Sequence, residues 1–434
     1  MSQSTAKTFL TISLASGFSR LNAAGVLIAA FFCIPLMSFT NFIQPYLFTE
    51  VFNIPRGEQG ALTGSLAAMH EFIIICMMGF LGALSDNIGR RIIILAGLFI
   101  IALGYWLYPL ADSRPEIFLF RAIIGLGAAA IAAMQTVLLA DIPNEKSRGK
   151  FLGLASVLTG VGMALLALQA GKLPNFFQGT FGVSAAEAGQ YILWSISGLI
   201  VCVMVLLFFM IKPGRVAEDT EREAILVRFK KGLAAASNNP RIALSYFVAF
   251  ASRGDLVIVG TYMTLWVVIS SETAGLSSGD GLKRAGLMVA AVQGTALFWA
   301  AIMGFLCDRF NRHFMVCIAF ALATAAYFTM GTMSDPFDNS IFIACVFLGI
   351  GEISTVIAGM ALIGQEAPLE NRGAVMGVFS LSGGLGILLA TFFGGRLFDA
   401  VGPTTPFTMM AVVNCLVLLC AVWVYVKTPR ADQV

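Results

Sequence analysis

The chain has 434 residues, of which 58% are apolar and only 12% charged, with a net charge of +3. Soluble domains carry roughly 25% charged residues, so a soluble fold of this length could not solvate its surface, and disordered, collagenous and nucleic-acid-binding chains are excluded too. A polytopic membrane protein is expected.

Residues 1–23 are polar and mixed, with Lys7 and Arg20. They lack the short apolar core and small-residue cleavage site of a signal peptide, so the first apolar run is expected to stay as a membrane span. Twelve runs are long enough to cross a bilayer as helices. They cover residues 24–46, 60–84, 92–111, 117–140, 151–172, 190–211, 242–269, 285–306, 314–333, 341–363, 374–395 and 405–426. The alternating pattern of a barrel strand is absent, and helices satisfy their own backbone in lipid. The predicted fold is therefore an all-α membrane protein of twelve transmembrane helices in two pseudo-symmetric six-helix bundles, 24–211 and 242–426. A central loop, 212–241, joins the bundles, and a tail, 427–434, closes the chain. The central loop carries Lys212, Arg215, Arg222, Arg228, Lys230, Lys231 and Arg241. Within it, Glu218–Gly232 can form an amphipathic surface helix or remain a solvated linker.

Lysine and arginine set the orientation. With both termini in the cytoplasm, the outer loops hold only Arg56, Arg114, Lys172, Lys283, Arg284 and Arg396, and two further arginines lie inside spans. The remaining basic residues are cytoplasmic. This topology, and the absence of any Asn-x-Ser/Thr sequon, fit a bacterial inner membrane. The eight cysteines form no CxxC pair and sit mostly inside apolar runs, where a thiol acts as a small hydrophobe. No disulfide framework, metal cluster or cofactor is expected.

The two halves repeat. Gly82-Ala-Leu-Ser-Asp86-Asn-Ile-Gly-Arg90-Arg91 follows span 2, and Gly304-Phe-Leu-Cys-Asp308-Arg-Phe-Asn-Arg312-His313 follows span 8, with Gly, Asp and Arg at identical spacing. Asp141-Ile-Pro143 through Arg148-Gly149 follows span 4, and Glu366-Ala-Pro368 through Arg372-Gly373 follows span 10. A duplicated six-span unit predicts a cavity between the copies that opens to either side. The segment Gly82–Arg91 resembles the loop signature of the major facilitator superfamily, and twelve spans, two half-copies and a long central loop extend the resemblance over the whole chain. It implies a carrier with a central cavity lined by the first helix of each triplet, spans 1, 4, 7 and 10, with the third helix of each triplet facing lipid. It also implies a cytoplasmic gate. Asp86 would meet the positive N-terminal end of span 11 and Arg90 would reach Asp141, with Asp308, Arg312 and Glu366 as the second copy of that lock. The competing reading is a tight glycine turn with positive-inside anchoring.

Charges deep in a bilayer cost about 2.5–3.5 kcal/mol on insertion scales and need a reason. Those away from span ends are His70 and Glu71 in span 2, Arg121 in span 4, Arg253 and Asp255 in span 7, and Glu352 in span 10. Spans 3, 6, 9 and 12 carry none. Asn41 and Gln44 share a face of span 1, and span 8 offers Gln293. Arg253 and Asp255 point about 200° apart on a helix, so each needs a partner on another span. Glu352 is the expected partner of Arg253, while Arg121 has Asp255, Glu71 or a bound anion to choose from. His70 is read as a satisfied packing residue and Glu71 as the cavity residue. The alternative role for all these charges is structural ion pairing. An acid beside an arginine can also work as a switch, in which protonation frees the arginine for an anion.

Arg121-Ala-Ile-Ile-Gly125-Leu-Gly127 is similar to the span-4 arginine motif of proton-coupled members of the superfamily. Span 5, Gly160-Val-Gly162-Met-Ala, lacks the Gly-Pro of the drug antiporters, and the sugar-porter signature after span 6 is missing. The expected function is secondary active transport of a small organic anion or zwitterion by a monomer that rocks between two access states, with a proton as coupling ion. Proton antiport of a drug or amphiphile and solute sensing without flux are the alternatives. Gly275-Leu-Ser277-Ser-Gly279 matches a nucleophile-elbow pattern but has no strand-to-helix context, and no phosphate loop or HExxH occurs, so an enzyme or an ATP-driven pump is not expected.

Overall fold

The computed structural model describes residues 8–9, 12–214 and 225–428. Among these residues twelve helices are long and apolar enough to cross a membrane. In chain order, spans 1 to 6 are Arg20–Glu50, Arg56–Ile88, Arg90–Leu110, Arg114–Asp141, Arg148–Phe181 and Ala185–Met210. Spans 7 to 12 are Pro240–Thr273, Ser278–Arg309, Arg312–Gly331, Ile341–Glu366, Leu369–Ala400 and Thr405–Lys427. Each expected apolar run lies largely within one of these helices, which extend beyond it because polar turns at the ends continue the same backbone ladder. Large exposed apolar side chains such as Phe80, Phe209, Phe298 and Phe393 stud the spans, as lipid contact requires.

Local chemistry sets the helix ends. Ser19 and Asn22 form a capping box at the start of span 1, and Ser184 and Glu187 do so at span 6. Between spans 2 and 3 the backbone turns at Gly89 with φ 102°, a conformation that favours glycine. In the second copy the equivalent residue is Asn311, with φ −56°, and its side chain caps span 9 by accepting from the His313 and Phe314 N–H groups at 2.9 and 3.3 Å. Span 7 is interrupted by a π-helical turn, Val259–Met263, one turn beyond Asp255.

The chain divides into two compact units, 1–53 with 69–219 and 54–68 with 220–434. The first contains a short feature near the N-terminus. Strands β1 (Thr8–Phe9) and β2 (Ile12–Ser13) form an antiparallel hairpin, and Leu14 bridges Pro143 in the loop after span 4. The Asn144 N–H donates to the Ser13 carbonyl at 2.8 Å, and the Ala15 N–H to the Ile142 carbonyl at 2.9 Å. Lys212 lies over the Phe18 ring.

The second unit takes in the first part of span 2. There Gly60 and Gly64 lie against Thr391 and Gly395 of span 11, so close that a Cβ at Gly64 would strike the Thr391 carbonyl. Small residues four apart on both helices give this seam its short interhelix distance. Asp399 accepts the Gly60 and Ala61 N–H groups at 2.9 and 2.7 Å near the start of span 2, where an anion is favoured. Arg56 pairs with Glu272 nearby. A helix at Ile225–Asn238 precedes span 7 and packs on span 11, and the Tyr246 hydroxyl donates to the Gly232 carbonyl at 2.9 Å. The expected surface helix at Glu218–Gly232 thus starts outside the described residues and runs on beyond its expected end. Arg284 holds the loop before span 10 through the Pro336, Phe337 and Asp338 carbonyls. In that loop the Ser340 hydroxyl and N–H hold the Asp338 carboxyl below its ordinary range.

Candidate functional site

In the first unit, span 1 contains Pro35 and Pro45. Between them the Tyr105 hydroxyl is wedged into the helix ladder. It donates to the Leu36 carbonyl at 2.6 Å and accepts from the Thr40 hydroxyl and N–H at 2.7 and 3.1 Å. Such an insertion opens a helix locally. The next residue, Asn41, accepts a hydrogen bond from Nη2 of Arg121. Arg121 is 1% exposed, and its Nε and Nη1 have no hydrogen-bond partner. His70 is buried with Nδ1 unpartnered, which corrects its reading as a satisfied packing residue. Tyr108 is buried, its hydroxyl is unpartnered, and it lies within electrostatic reach of Arg121. Gln44 is buried on span 1, and Glu71 is half-buried on span 2.

The second unit gathers acids. Asp255 is fully buried and its Oδ1 accepts from Nδ2 of Asn414 at 3.0 Å. Glu352 is 1% exposed and hydrogen-bonds Gln293. The carboxyl groups feel each other's charge, and the buried Tyr327 hydroxyl senses both. Oδ2 of Asp255 and Oε2 of Glu352 are buried without a hydrogen-bond partner. The expected Arg253–Glu352 pair is not formed: Arg253 is exposed and packs its stem on Gly383, while Glu352 points inward to an amide. Helix rotation accounts for the difference, because Arg253 and Asp255 occupy opposite faces and only the Asp255 face is inside.

Asn414 belongs to span 12, Tyr327 to span 9, and Tyr105 and Tyr108 to span 3. The family resemblance implies that these helices face lipid, and they carry no ionisable charge in mid-span. They do present lipid-facing residues, yet an amide or phenol on the other face completes each buried cluster. A scan for tyrosine and asparagine in the apolar runs would have found them.

The duplicated loops differ in pairing. Arg90 forms an ion pair with Asp141 and stands 3.7 Å from Asp86. In the second copy Glu366 pairs with Arg241 at 3.6 Å and accepts from Nδ2 of Asn239 at 3.1 Å. Arg312 instead reaches the Ala361 carbonyl at 3.5 Å, and Asp308 is exposed. The expected Arg312–Glu366 pair is therefore replaced, because Arg241 at the start of span 7 reaches the acid first. Among the described residues no cluster of three metal-ligating side chains occurs.

The Major Facilitator Superfamily model matches residues 26–391 and 260–434. Magnetosome protein MamH of Paramagnetospirillum magneticum is 24% identical over 89% of this chain and 88% of its own length. MamZ of the same organism is 25% identical over 88% of this chain, which spans 59% of that longer protein. The class D tetracycline resistance protein of Salmonella ordonez is 24% identical over 87% of this chain and 91% of its own. Among solved structures, the D323A mutant of the nucleoside transporter NupG superposes with a TM-score of 0.74 at 12% identity, covering 93% of this chain and all of that one.

Proposed function

Because the chain belongs to the Major Facilitator Superfamily, a family of multi-pass membrane carriers rather than enzymes, we propose that it moves a small organic anion or zwitterion by alternating access, coupled to protons. The observation that carries the coupling is the pair of buried acids, Asp255 and Glu352, each held by an amide and each sensing the other. Interacting carboxyl groups titrate as a unit, and ionisable groups inside a membrane mark ion pathways and proton relays. Asn414 positions Asp255 and Gln293 holds Glu352. Both termini are assigned to the cytoplasm of a bacterial inner membrane by the distribution of lysine and arginine, and the Arg90–Asp141 pair is assigned to the inner gate.

Transport into proteoliposomes under an imposed pH gradient tests this, using a solute found by thermal-shift screening of metabolites at two pH values. Asp255→Asn and Glu352→Gln should each reduce pH-driven flux. If both leave the pH dependence unchanged, coupling does not run through these acids. Binding without any flux would instead make the protein a sensor. The likeness to a tetracycline resistance protein supports a second reading, proton-driven export of an amphiphile, which predicts extrusion rather than accumulation in whole cells.

A further inference from the structure

We propose that Arg121, His70 and Tyr108 form a binding site for the carboxylate group of a small organic anion within the first unit. The proposal deepens the transport reading and rests on it only for the ligand's role as substrate. A guanidinium cannot shed its charge, and a charge buried without a counter-charge is strongly unfavourable. Arg121 is in this position. It is 1% exposed, Asn41 supplies one neutral acceptor, two of its nitrogens have none, and among the described residues no ion pair joins it to an acid. The missing counter-charge is a single negative one.

The surroundings specify more than charge. Gly125 lies one turn beyond Arg121 on the same face of span 4. An ideal Cβ there would stand 3.3 Å from Nδ1 of His70. The free ring nitrogen of His70 thus opens onto the face that carries the arginine, and glycine leaves it room. Tyr105 and Tyr108 sit at the end of span 3, both within electrostatic reach of Arg121. The Tyr105 hydroxyl is used up inside span 1, whereas the Tyr108 hydroxyl has no partner. Three helices therefore bring together one fixed cation, one phenol donor and one imidazole nitrogen. A carboxylate offers one negative charge and several acceptor sites, which matches this set. A metal ion would meet the guanidinium's positive charge, and a neutral solute would leave that charge uncompensated.

The test is thermal unfolding of the purified protein in nanodiscs without a pH gradient. Acetate and benzoate serve as carboxylate probes, benzamide as the neutral control and nitrate as the inorganic anion. At least one carboxylate should raise the unfolding midpoint with concentration, and benzamide should not. Arg121→Met should weaken that response about tenfold or more, while the ligand-free variant melts no lower than the parent, since an uncompensated charge has been removed. Tyr108→Phe should weaken the response roughly fivefold with an unchanged ligand-free midpoint. The proposal is overturned if neither carboxylate shifts the midpoint, if nitrate shifts it and the carboxylates do not, or if Arg121→Met melts lower with its carboxylate response intact. Carboxylate binding that persists in the Asp255→Asn and Glu352→Gln proteins supports this site whether or not pH-driven flux survives in them. Proton-driven flux of another solute, without carboxylate binding, overturns this site and leaves the transport reading standing.

Discussion

The buried polar clusters of the two units differ in sign and in satisfaction. Spans 2 to 4 supply a buried cation, Arg121, and two further unpartnered polar groups, the Tyr108 hydroxyl and the His70 ring nitrogen. Spans 7 to 12 enclose two carboxyl groups, each already held by an amide. One scaffold used twice thus carries polar clusters of opposite charge, which the proposed function assigns to holding an anion and to handling a proton.

The largest expected effect breaks the acidic side. Asp255→Asn and Glu352→Gln should each lower pH-driven flux by about a hundredfold or more, the range associated with losing a positioned proton-transfer group, measured in proteoliposomes. Asn414→Leu sharpens the role of the amide. It leaves the buried Asp255 carboxyl without its donor, so it should cost about 1–3 kcal/mol, read as a lower midpoint in thermal or chemical unfolding, together with a displaced pH profile of flux. Tyr105→Phe probes the wedge that sets Asn41 opposite Arg121. Removing the hydroxyl should cost about 1–2 kcal/mol, and benzoate or acetate should then stabilise the protein less. The smallest contrast is between the loop copies. Arg90→Gln should slow cycling, because Asp141 loses its partner, with solute affinity retained. Arg312→Gln should leave stability within about 0.5 kcal/mol, because Glu366 keeps Arg241. Equal effects from these two substitutions would show that the copies share one pairing after all.

Much of the fold was legible because the bilayer imposes a local requirement. About 20 apolar residues must follow one another, and a simple count along the chain finds all twelve. Breaks inside the helices were not legible. The π-turn at Val259–Met263 and the Tyr105 insertion into span 1 depend on neighbouring helices, and neither has a pattern of its own. Strands Thr8–Phe9 and Ile12–Ser13 lie in a segment that reads as plain polar sequence, and Pro143, which bridges the adjoining Leu14, lies about 130 residues away. The candidate ionisable residues could be named from sequence, but their partners could not. Arg253 is exposed and Glu366 pairs with Arg241, and the amide and phenol groups on spans 3, 9 and 12 escaped a scan limited to ionisable side chains.

The sequence by itself determined the membrane class, the twelve spans, the internal duplication and the short set of charges that lipid cannot tolerate, because each follows from the solvation of consecutive residues. Only the tertiary structure decided which of those charges face inward and which group each one meets. Helix rotation and packing distance set those partnerships, and residues far apart in the chain supply them.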